Sequence, residues 1–124
     1  MTFEEYEQQF QSSSYEEWIQ KVTQATKEMT ETLAEQGKQV NHMLQKRNEY
    51  ESLWKQEKKK CGVIAKIFKK DDAARAAKQA QEYFEKFELF RDAFLREYEK
   101  QEEITKEAIS LQNYMKFASA MYKS

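Results

Sequence analysis

A chain of 124 residues has room for one domain, and with 35% charged and 40% hydrophobic residues it sits at the polar end of the globular range; its 14% aromatic content is too high for a solvated, disordered chain. The sequence holds no proline and only two glycines, which removes the turn punctuation a β protein needs. A formal net charge of -1, with both signs interleaved over most of the chain, gives the molecule as a whole no field to draw in DNA or RNA, so nucleic acid is excluded as a partner.

The chain opens on Thr2 three residues before Glu5, a capping-box spacing, and then places Phe3, Tyr6 and Phe10 on one helical face, predicting a short helix over 2–11. Ser12, Ser13 and Ser14 interrupt it as a hinge. Ser14 with Glu17 offers a second capping box and starts a long helix predicted over 14–60. Its apolar positions Tyr15, Trp18, Val22, Ala25, Met29, Val40, Met43, Tyr50 and Trp54 step by threes and fours, the rhythm of a helix packed along its length on another. The rhythm weakens at Thr32 and Gln36. Gly37, just beyond, is a place for a kink, since glycine costs about 1 kcal/mol against alanine inside a helix.

Residues 61–71 form a predicted tip where the chain reverses. Between Lys55 and Lys70, the side chains of Lys55, Lys58, Lys59, Lys60, Lys66, Lys69 and Lys70 are offset by Glu57 alone, and Val63, Ile64, Ile67 and Phe68 share one helical face. An apolar face rimmed by lysine suits an acidic groove on a partner protein or an anionic membrane surface, which makes Val63, Ile64, Ile67, Phe68, Lys59, Lys60, Lys66, Lys69 and Lys70 the candidate partner-binding residues. The plainer reading has Gly62 begin the reversal and the four apolar residues plug the end of the bundle while the lysines solvate the bend.

A second long helix is predicted over 72–122, capped by Asp71 or Asp72, with an unbroken stripe that includes Ala80, Tyr83, Phe87, Phe90, Phe94, Ile104, Leu111, Met115 and Tyr122. Folded back on the first, it pairs Trp18 with Met115, Val22 with Leu111, Met29 with Ile104 and Tyr50 with Tyr83, and it brings Thr32 opposite Gln101 and Gln36 opposite Glu97 as a polar layer. The expected fold is therefore all-α: a long antiparallel, coiled-coil-like helical hairpin with a short N-terminal helix, as a single domain over 1–124.

The hydrophobic supply exceeds what a two-helix seam uses. Phe84, Leu95, Tyr98, Ile109, Phe117 and Met121 lie beside the stripe and widen it. An assembly face of Phe84, Phe87, Phe90, Phe94, Leu95 and Tyr98 follows, to be covered by a second copy that completes a four-helix bundle or by another protein's helix.

No residue pattern supplies catalysis. His42 is the sole histidine and has no carboxylate at metal-ligand spacing, and Cys61, the sole cysteine, has neither a nearby histidine nor a resolving partner. No cofactor, metal or catalytic residue is expected. The acidic start lacks the apolar run of a signal peptide and no segment approaches the roughly 20 apolar residues of a membrane span, so a cytoplasmic location is expected. The shape is similar to the small helical hairpins that accompany bacterial specialised secretion systems as exported partners or effector chaperones. Their Trp-x-Gly turn is missing, since Trp18 precedes Ile19 and Gln20, and Trp54 precedes Lys55 and Gln56; Tyr98 with Glu102 fits their loose Tyr-x-x-x-acidic pattern. The sequence thus points to a non-catalytic protein-binding module, a subunit, adaptor or chaperone that pairs with a partner protein or dimerises. The alternative is a peripheral membrane protein using the tip.

Overall fold

The computed structural model describes residues 1–67 and 70–123, and of 64–67, 70–72 and 123 the backbone alone. Among the described residues the chain is all-α, with α1 over Phe3–Gln9, α2 over Tyr15–Ile67 and α3 over Lys70–Lys123, and no strand.

The start of α1 is fixed by its capping box. Thr2 Oγ1 accepts the Glu5 amide at 3.3 Å, and the Glu5 carboxylate accepts the Thr2 amide at 3.2 Å, so two backbone donors that helix geometry leaves unpaired are satisfied. Phe10 closes the helix as its C-cap, which makes α1 shorter than the predicted 2–11. The hinge is held rather than slack: Ser12 Oγ donates to the Phe10 carbonyl at 2.9 Å and Lys21 Nζ to that of Gln11 at 2.6 Å. At the start of α2 the expected box is divided between two serines. Ser14 Oγ accepts the Glu17 amide at 3.2 Å, whereas the Glu17 carboxylate takes the amide and hydroxyl of Ser13 at 3.2 and 2.8 Å.

Gly37 lies inside α2 with no positive φ, so it neither ends the helix nor caps it. The predicted end of the first long helix at Lys60 is also moved: α2 continues through Cys61 and Gly62 to Ile67. The physical reason is that a glycine stops a helix by taking a left-handed conformation, and Gly62 does not. Correspondingly α3 begins at Lys70, two residues before the predicted 72, so Asp71 and Asp72 fall within its first turn instead of preceding it.

The contacts gather into two compact units. Unit 1 comprises Met1–Gly37 and Glu99–Ser124, and unit 2 comprises Lys38–Tyr98.

Unit 1 holds a true core of Tyr6, Phe10, Trp18, Val22, Leu111, Tyr114 and Ala118, with Phe3, Tyr15, Ile19, Met115 and Tyr122 packed against it. Its centre is Tyr114. The rings of Phe3, Tyr6 and Phe10 lie 5.4, 5.3 and 5.6 Å from it, so the short helix is anchored by three aromatics on one ring. Trp18 stacks on Tyr122 at 5.1 Å and its indole N–H donates to Tyr114 Oη at 2.8 Å.

Unit 2 is built differently. Only Val40 and Ala80 are buried in it among the described residues, and the packing is carried by half-buried rings. Tyr50 stacks on Phe90 at 5.5 Å and meets Tyr83 at 6.3 Å, while Trp54 packs on Phe84 at 4.9 Å and on Phe87 at 6.1 Å.

Candidate functional site

Among the described residues no group of three or more His, Cys, Asp or Glu is placed to hold a metal ion, and no helix is long and apolar enough to cross a membrane. His42 is exposed on α2 and Cys61 is a half-buried free thiol. The exposed apolar and charged side chains differ between the two units.

Within unit 2 the predicted assembly face is divided. Phe84, Phe87 and Phe90 are engaged by Trp54 and Tyr50. Cations lie over the same seam: Arg47 at 5.2 Å and Arg91 at 5.9 Å over Phe87, Lys86 at 5.5 Å over Tyr50, and Lys58 at 5.3 Å over Trp54. Of the predicted assembly face, Phe87 is thus covered by long basic side chains. Phe94 packs on Tyr98 at 6.0 Å, and Leu95 and Tyr98 stay exposed, at 49% and 46%. Leu89, absent from the predicted face, is the most exposed of this set at 60%. Its position off the heptad stripe is the signal that reveals it, since an apolar residue outside the seam has nothing in the seam to bury it.

At the tip, Lys58, Lys59 and Lys60 are exposed, as is Val63. The side chains of Ile64, Lys66, Ile67 and Lys70, and Phe68 and Lys69 altogether, lie outside the described residues, so the shared apolar face of the four tip residues does too.

Unit 1 carries features that the sequence reading missed. A groove of about 480 Å³ is lined by Phe10, Met29, Ile104 and Leu111 together with Glu28, Glu103, Glu107 and Met1. Glu107 is tied down: its carboxylate accepts from the Tyr6 hydroxyl at 2.7 Å and pairs with the chain's terminal ammonium. Those two hydrogen bonds, the ammonium's first and the hydroxyl's second, lower its pKa. Burial, followed by the Glu107 hydrogen bond and charge, pushes the Tyr6 hydroxyl well above the ordinary tyrosine value, and burial raises that of Tyr114. Glu28 and Glu103 are exposed, the second within reach of Lys106 at 3.4 Å. Of the predicted polar layer, Thr32 sends its hydroxyl to the Glu28 carbonyl of its own helix at 2.9 Å. Elsewhere in unit 1, Ile109, Phe117 and Met121 are exposed on α3.

The division into units also separates charge. Unit 1 carries 12 Glu against 6 Lys, a formal -6, and unit 2 carries 10 acidic residues against 15 Lys and Arg, a formal +5, which together give the chain's -1. The interleaved signs of the sequence therefore resolve into two units of opposite charge. No protein-family model, curated protein or solved structure matches this chain.

Proposed function

We propose that this chain is a protein-binding module, a helical hairpin in which α2 and α3 form a coiled-coil-like antiparallel pair and which acts as a subunit, adaptor or chaperone in the cytoplasm. The observation that carries the reading is the exposure of Leu89, Leu95 and Tyr98 in about three turns of α3, within a unit where Tyr50, Trp54, Phe84, Phe87 and Phe90 pack on one another. Large apolar side chains exposed at this density, beside arginine and tyrosine, have the composition of an interface core. A photo-cross-linking residue placed at Leu95 in the native host is expected to give a discrete adduct, with a second copy or with another protein. The absence of any adduct at 95, with full-length protein present, refutes the reading.

A second reading rests on the tip. Val63 is exposed just beyond the exposed Lys58, Lys59 and Lys60, an arrangement suited to an anionic membrane surface. It predicts co-sedimentation with vesicles containing anionic lipid and none with neutral vesicles; equal partitioning to both, or to neither, rejects it.

A further inference from the structure

We infer that the partner is a second copy of this chain, with the acidic unit 1 of each copy docked on the basic unit 2 of the other about a twofold axis. The inference rests on the reading of the chain as a protein-binding module and adds the partner and the surfaces.

Charge decides the pairing. Units of -6 and +5 attract, whereas unit 1 on unit 1 or unit 2 on unit 2 sets like charges against each other. A twofold arrangement makes both favourable contacts at once and closes, because the same pair of surfaces is used twice and none is left to recruit a third copy.

The surfaces match in detail as well as in sign. On unit 1, Glu28 adjoins Met29 and Glu103 adjoins Ile104, so exposed carboxylates stand beside apolar side chains that line the groove. On unit 2, Lys59 and Val63 are four residues apart on one face of α2, which sets an exposed cation beside an exposed apolar side chain, with Lys60 next to them. A helical turn with one cation and one apolar group is the complement of a groove lined by carboxylates and apolar side chains.

Two charge-reversed proteins test it: E28K/E103K in unit 1 and K59E/K60E in unit 2, all four positions exposed, with helicity checked by circular dichroism. Light scattering after size exclusion at low salt is expected to give the wild type twice its 14.9 kDa chain mass. Each variant alone is expected to dimerise about 10-fold to 100-fold more weakly, since exposed pairs are individually small and the twofold axis counts each twice. Mixed one to one, the two variants are expected to re-form a dimer, because both of its contacts are again between opposite charges. Raising salt to about 1 M, where the screening length is about 3 Å, weakens the wild-type dimer.

A wild type that remains monomeric at low salt overturns the inference. So do variants that stay as dimeric as the wild type, and so does a mixture that fails to re-form a dimer. Any of these, together with an adduct from position 95, overturns the inference and leaves the protein-binding reading standing; the absence of both dimer and adduct overturns the two together.

Discussion

Tyr114→Phe removes one oxygen atom from the centre of unit 1 and leaves its ring in place. The contacts of that ring with Phe3, Tyr6 and Phe10 at 5.3–5.6 Å require no hydroxyl, so packing is conserved. What is lost is the acceptor for Trp18 Nε1, at 2.8 Å, on an indole that is 1% exposed. Water cannot replace that acceptor without opening the core. A buried donor left unmade costs about 1–3 kcal/mol, so a loss near 2 kcal/mol is expected, against about 3–5 kcal/mol for Tyr114→Ala, which also empties the ring's volume. With a urea dependence of roughly 2 kcal/mol per molar, Tyr114→Phe lowers the unfolding midpoint followed at 222 nm by about 1 M. Trp18→Phe alone costs more because it leaves a void, yet the double variant Trp18→Phe/Tyr114→Phe is expected to fall short of the summed losses by about 1 kcal/mol, the coupling between the two partners. A Tyr114→Phe protein within about 0.3 kcal/mol of the wild type refutes the assignment of this hydrogen bond as a stabilising element of the core.

Two further expectations follow from the same structure. Gly37→Ala is expected to stabilise by about 0.5–1 kcal/mol, because the position is helical and an added Cβ meets nothing within 4 Å; a loss of stability in the same urea experiment shows that the backbone there needs glycine. The raised hydroxyls of Tyr6 and Tyr114 favour the neutral form in the folded state, so their contribution is fully present below the unfolded tyrosine value near 10 and is lost as pH rises beyond it. Absorbance at 295 nm is expected to show Tyr6 and Tyr114 ionising only together with loss of helicity, and their ionisation while the chain stays helical contradicts this.

The helices themselves were legible because their causes are local. The Thr2 capping box, the serine break and the three-and-four stepping of apolar residues are each read within a few positions, and each has its counterpart in α1, the Ser12–Ser14 hinge and α2. The ends were less legible. Gly62 reads as a terminator in sequence, but a glycine terminates only when its backbone turns left-handed, which neighbouring residues do not announce.

Tyr114 was missed for a related reason. It stands beside the heptad stripe rather than on it, and its burial depends on the arrival of Phe3, Tyr6 and Phe10 from more than 100 positions earlier in the chain. The aromatic surplus around Phe84 and Phe87 was legible as surplus, whereas the cover of Phe87 by Arg47 and Arg91 was not, since a long basic side chain reads in sequence as a solvated charge.

The sequence by itself determined that this chain is helical, where its first two helices are capped and which residues are apolar enough to bury, because helix formation and side-chain hydrophobicity are properties of short stretches. Only the tertiary structure decided that Phe3, Tyr6, Phe10 and Trp18 gather on Tyr114 and that a nearly neutral chain is divided into units of -6 and +5, because both depend on which distant residues become neighbours.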